Sequence, residues 1–194
     1  MATTSQSDTG GRRSSIIALT GFMAAGKSTA GRALASLLHW RFMDLDCEIE
    51  CRSQQTIAEI FAAQGETRFR ELETEALRAI LQDGRGRTII ALGGGTFVQA
   101  QNAQLLREQG VRVVFLELPL EQLLKRCRAA GERGQQNPRP LAADEQALGA
   151  LHEERLPMYR AADLVVDAQE KAPEEIAHEI AHKLRLSNYA GSNL

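Results

Sequence analysis

The run Gly21-Phe22-Met23-Ala24-Ala25-Gly26-Lys27-Ser28 constrains this chain more than any other stretch. It follows the pattern GxxxxGK[ST], stands directly after the apolar segment Ile16-Ile17-Ala18-Leu19-Thr20, and opens a helix candidate at 27–38. Its glycines let the backbone wrap closely around an anion, while the start of a helix presents free amide hydrogens and the positive end of a dipole. Lys27 adds a full charge toward the β and γ phosphates of a nucleotide, and the Ser28 hydroxyl is of the kind that ligates magnesium. The pattern therefore predicts a strand, a phosphate-binding turn and a helix in direct succession.

The rest of the chain keeps that alternation. Short apolar runs at 41–43, 88–92, 111–118 and 164–166 read as strands. Helix candidates lie between and around them at 48–50 and beyond, 66–81, 102–109, 120–130, 144–160 and 173–184. Strands that are apolar on both faces need cover on both faces, which defines an α/β fold with a parallel sheet between helix layers. Thr56 and Glu59 have the spacing of a capping box that opens a helix through Phe61, and Gly65 stands where a left-handed stop is expected. Pro173 suits a first helical turn.

Residues 131–140, rich in Gly, Gln, Arg and Pro, interrupt two helices and read as a mobile loop rather than a domain boundary. Residues 1–14 have almost no apolar content to offset the entropy of ordering, so they are expected to form a disordered tail. One domain at 15–187 and a flexible end at 188–194 complete the expected organisation.

Size and charge narrow the function. A chain of 194 residues with 43% hydrophobic content suits a single domain with a full core. A formal net charge of −2 argues against a surface built for duplex nucleic acid, which carries a basic excess. No window approaches the ~18 consecutive apolar residues of a membrane span, and no signal-peptide apolar region is found, so the cytoplasm is expected. The 3 cysteines, Cys47, Cys51 and Cys127, form no CxxC pair and are expected to be reduced.

An anion-binding turn alone leaves GTPases, ATPase motors and small kinases open. Asp44-Leu45-Asp46 follows the second strand, and its two carboxylates are expected to project from the strand end toward the phosphates, where open α/β sheets bind ligands. One can hold magnesium through water while the other accepts a hydrogen bond from an acceptor hydroxyl.

Three further stretches follow in order: Phe61-Ala62-Ala63-Gln64-Gly65-Glu66-Thr67-Arg68-Phe69-Arg70-Glu71-Leu72-Glu73, then Gly93-Gly94-Gly95, then Arg139-Pro140-Leu141. With them the chain resembles the shikimate kinase family over residues 15–185. The resemblance implies a three-layer α/β/α P-loop kinase fold, with five parallel strands in the order 2-3-1-4-5 and a mobile lid at 128–143. It implies transfer of the ATP γ-phosphoryl group to the 3-hydroxyl of shikimate, with one Mg2+ ion, by a monomer that needs no nucleic acid or membrane.

By position, Ala24, Ala25, Gly26, Lys27, Ser28 and Thr29 would hold the nucleotide, and Ser28 and Asp44 the metal. Asp46 resembles the aspartate that binds the substrate hydroxyl. Arg70 and Arg155 resemble the pair that grips its carboxylate, a task suited to planar guanidinium groups. Gly94 would contact the substrate directly. Arg139 resembles the lid arginine over the transferring phosphate, which makes Lys27, Asp46 and Arg139 the catalytic set. Lys171, and either Arg126 or Arg128, fall on the adenine side.

The chain departs from the family pattern in a longer lid, in Ala142 after Leu141, and in Gln54 where glycine is frequent, so another turn shape is expected before Thr56. A gluconate or nucleoside monophosphate kinase would share the phosphate turn and lid but not the glycine triplet with 66–70. A GTPase would carry Asn-Lys-x-Asp, which is absent from the sequence. A noncatalytic relative would be expected to have lost one of Lys27, Ser28, Asp44, Asp46 or Arg139, and all are present.

Overall fold

The computed structural model of the chain describes residues 16–83, 86–132 and 145–186. The apolar runs form strands β1 (Ile16–Thr20), β2 (Arg41–Asp44), β3 (Thr88–Ala91), β4 (Arg112–Glu117) and β5 (Leu164–Asp167). They pair in parallel in the order β2-β3-β1-β4-β5. The helices are α1 (Lys27–Leu38), α2 (Leu45–Ser53), α3 (Ile57–Gln82), α4 (Ala100–Glu108), α5 (Leu120–Glu132), α6 (Glu145–Tyr159) and α7 (Pro173–Lys183). They cover both sides of the sheet, with α1 against α7, α2 against α3, and α5 against α6. The central strands are therefore buried on both faces: Ile17, Leu19, Ile89, Ile90, Val114 and Phe115 are all shut off from solvent.

The register decides where chemistry can gather. Asp44 lies opposite Ala91, and Ala91 opposite Leu19. Gly21, Gly93 and Asp46 each stand two residues past that row, so the phosphate turn, the glycine triplet and the second aspartate emerge together at the carboxyl edge of three adjacent strands.

Local details refine the sequence reading. Asp44 caps α2, its Oδ1 accepting from the Asp46 amide at 3.1 Å, so α2 begins at Leu45 and Asp46 sits in its first turn. Gln54 ends α2 in the left-handed region (φ 54, ψ 30). The capping box forms as expected, with the Thr56 amide donating to Glu59 at 2.7 Å and the Glu59 amide to Thr56 at 3.2 Å. Gly65 does break the helix (φ 75, ψ 179), but as a kink, and helical backbone resumes at once on its far side. Helix α5 runs to Glu132, into the segment read as loop. The tail 1–14, the end 188–194, and the lid beyond α5 with Arg139 lie outside the described residues.

Candidate active site

Strand β1 delivers the chain to Gly21, where a Cβ would stand 2.9 Å from the Leu116 carbonyl oxygen; glycine lets the turn press against β4. Gly26 caps α1 in a left-handed conformation (φ 87) and offers no side chain to the first-turn amides, which leaves them to an anion. Lys27 Nζ donates to the carbonyls of Gly21 and Phe22, both at 2.9 Å, so its charge is held within the turn. Ser28 Oγ donates to Asp44 Oδ2 at 2.5 Å. A hydroxyl from α1 and a carboxylate from the end of β2 thus meet beside the phosphate turn, a pair of hard oxygen donors that suits magnesium. Among the described residues no cluster of three His, Cys, Asp or Glu could hold a metal.

The second half of the site surrounds the glycine triplet. A Cβ on Gly93 would meet Asp46 Oδ1 at 2.9 Å and Glu73 Oε1 at 2.8 Å, and a Cβ on Gly95 would meet Arg70 Nη1 at 2.6 Å. Arg155 Nη1 lies 3.5 Å from the Gly94 carbonyl oxygen. The substrate residues expected from sequence, Asp46, Arg70, Gly94 and Arg155, are therefore brought to one place from α2, α3, the loop after β3, and α6.

Arg70 is fixed from two sides. Its Nη1 donates to Glu73 at 3.0 Å and its Nη2 to Glu66 at 2.9 Å. Burial works against its charge, but the two carboxylates outweigh that and hold its pKa above the ordinary arginine value. Glu73 is fully buried, and each oxygen is satisfied: Oε1 accepts from Thr96 at 2.6 Å, and Oε2 from Gln99 at 2.5 Å besides Arg70. Sequence reasoning assigned no role to Glu73, Thr96 or Gln99. The available signal was the i,i+3 spacing of Glu73 from Arg70 on one helix. Tyr159 was also missed; it is fully buried and its hydroxyl donates to the Gly94 carbonyl.

On the nucleotide side the two arginines left open separate. Arg126 Nη1 lies 3.5 Å from the Ala24 carbonyl oxygen, over the phosphate turn, while Arg128 is engaged by Glu145 at 2.5 and 2.7 Å. Lys171 pairs with Glu179 at 2.7 Å. His152 of α6 packs edge-on against Phe22 of the turn, with ring centroids 5.3 Å apart. Burial pushes the thiols of Cys47 and Cys127 above the ordinary range, which disfavours thiolate chemistry.

A parallel sheet in this order, an anion-binding turn ending in Lys27-Ser28, and a carboxylate presented by β2, the strand beyond β3, define the P-loop kinases as a class. Comparison with known proteins narrows it. The family model for shikimate kinase matches residues 23–185. The shikimate kinase of Geobacter sulfurreducens is 43% identical over 172 residues, 87% of this chain and 90% of that protein. That of Persephonella marina is 35% identical over 169 residues, 87% and 98% of the two chains. The solved shikimate kinase from Acinetobacter baumannii, in complex with shikimate, is 37% identical with a TM-score of 0.78, covering 90% of this chain and 94% of its own. The chain belongs to the shikimate kinase family.

Proposed function

We propose that this protein transfers the γ-phosphoryl group of ATP to the 3-hydroxyl of shikimate, giving shikimate 3-phosphate and ADP. The observation that carries the reading is the convergence of Asp46, Arg70 and Arg155 on one glycine triplet, at the same sheet edge as the phosphate turn. Two guanidinium groups suit an acceptor with a carboxylate, and a carboxylate beside the same glycine triplet suits its hydroxyl.

In this reading the amides of Ala24, Ala25, Gly26, Lys27, Ser28 and Thr29 cradle the phosphates, and Lys27 stabilises the charge that develops on the β and γ groups. A Mg2+ ion held through Ser28 and Asp44 supplies further neutralisation of the phosphate oxygens when bound. Arg70 and Arg155 fix the acceptor carboxylate and thereby its ring. Asp46 orients the hydroxyl in line with the γ-phosphorus and receives its proton as the new P–O bond forms and the bond to the ADP oxygen breaks. Phosphoryl transfer asks mainly for positioning and electrostatic stabilisation, and this arrangement supplies both.

Arg139 would close over the transferring group, with Arg126 and Lys171 on the adenine side. Action as a monomer in the cytoplasm belongs to the same reading. Among the described residues no helix is long and apolar enough to cross a membrane.

The test is ADP release measured with shikimate, quinate, gluconate and nucleoside monophosphates. Shikimate is expected to give strong turnover; strong turnover with any other member instead would overturn the substrate assignment.

A further inference from the structure

Tyr159 is the first among the largest fully buried side chains, and the mechanism above gives it no part. Its ring stacks on Phe115 of β4, with centroids 5.2 Å apart and planes 19° from parallel. Its hydroxyl donates to the Gly94 carbonyl, the same oxygen that Arg155 approaches at 3.5 Å. A buried phenol on a main-chain carbonyl ordinarily does no more than satisfy itself. Two features set this one apart.

The first is the acceptor. Gly94 is the middle of three glycines, a segment with no side chains of its own to hold it in one conformation. Because the Gly94–Gly95 amide is planar and trans, a hydrogen bond that turns the carbonyl toward α6 also turns the Gly95 amide hydrogen away from it. Gly95 is the position against which the Arg70 guanidinium rests, 2.6 Å from where a Cβ would stand. The second is the donor. Tyr159 is four residues beyond Arg155 on α6, so both face the triplet from neighbouring positions on one helix.

We infer that Tyr159 is a positioning residue for the acceptor: its hydroxyl sets the Gly94–Gly95 peptide and, through it, the spacing of Arg155 and Arg70 around the acceptor carboxylate. This rests on the acceptor site proposed above. Nucleotide binding rests on the phosphate turn and is expected to stay unchanged when the hydroxyl alone is removed.

Tyr159→Phe keeps the ring and its stack and removes one oxygen. The KM for shikimate should rise about tenfold, the scale of one lost hydrogen bond at a binding site, while the KM for ATP stays within about twofold. Phe115→Leu is the matched control: it loosens the same stack and keeps the hydroxyl, and should lower the melting temperature while leaving the KM for shikimate in place. The Phe115 ring also lies near Gly21, so the KM for ATP is not part of this control. An unchanged shikimate KM in Tyr159→Phe would overturn the inference. So would an equal rise in both KM values, or a rise in shikimate KM in Phe115→Leu that matches it, since each marks a merely structural role. Absence of shikimate turnover by the unsubstituted chain would remove the functional reading and this inference together, whereas turnover without the KM split removes only the inference.

Discussion

Asp46 and Arg70 illustrate how much of the site a residue type reveals. The aspartate was legible because it follows a strand end two residues after another carboxylate, a position where α/β sheets bind ligands. The arginine was legible only by resemblance, since nothing local distinguishes it from Arg68, the other arginine of 66–73. Glu73, which holds Arg70, was not legible: a glutamate on a helix reads as solvated, and only tertiary packing places Thr96 and Gln99 on its two oxygens. Asp46→Asn keeps the shape and loses the proton acceptor. It is expected to lower kcat by about 100-fold or more with little change in the KM for ATP; steady-state kinetics with unchanged kcat would remove Asp46 from the reaction. Gly95→Ala probes Arg70 from below. Its Cβ would sit 2.6 Å from Arg70 Nη1, and that guanidinium is tied to Glu66 and Glu73, so relief must come at the expense of those ties. We expect a rise in the KM for shikimate of at least about tenfold, with the fold intact by circular dichroism; a normal KM would show that Arg70 need not stay where it is.

Among the elements, the strands were read nearly to the residue because apolar runs flanked by polar turns have no other stable use in a chain of this kind. The helix breaks were harder. Gly65 carries the signal of a stop, yet the next segment again presents Phe69, Leu77 and Ile80 to the core, so the chain bends and continues. The converse case is Gly31, inside α1, which reads as a weak point in the helix. In the structure its missing side chain admits Phe42 of β2: a Cβ there would lie 2.6 Å from Phe42 Cε2 and 3.3 Å from Leu19 Cδ1. Two effects of Gly31→Ala oppose each other. Helix propensity favours alanine by about 1 kcal/mol, while overpacking a well-filled site costs about 1–3 kcal/mol. Leu19 is fully buried, and the half-buried Phe42, which also lies under the Arg32 guanidinium at 4.7 Å, must shift to admit the methyl group. The substitution is therefore expected to destabilise the protein by about 1 kcal/mol or more in urea unfolding, and a gain in stability would show that β2 yields freely.

At the scale of the molecule, the site depends on contacts that no local pattern encodes, such as the pairing of Gly94 with Arg155 and Tyr159 across 61 and 65 residues. Helix α6 gathers these contacts, and another of its buried residues, His152, touches the phosphate turn through Phe22. His152 is 8% exposed, and burial lowers its pKa below the ordinary histidine value; Glu153 and Glu117 oppose the shift and Arg160 reinforces it. The folded protein thus keeps this ring neutral at a pH where the unfolded chain already binds a proton. Its contribution to stability is complete above about pH 6.5, the unfolded value, and is lost as the pH falls toward the lower folded value. Melting temperatures measured between about pH 7.5 and pH 5.5 should therefore fall with acidification. In His152→Gln, which stays neutral throughout, the fall should be shallower. A loss of 1 kcal/mol moves the melting temperature of a domain this size by roughly 2–4 °C, so the difference is measurable. Parallel slopes in the two proteins would place the acid sensitivity elsewhere and leave His152 as packing alone between α6 and the phosphate turn.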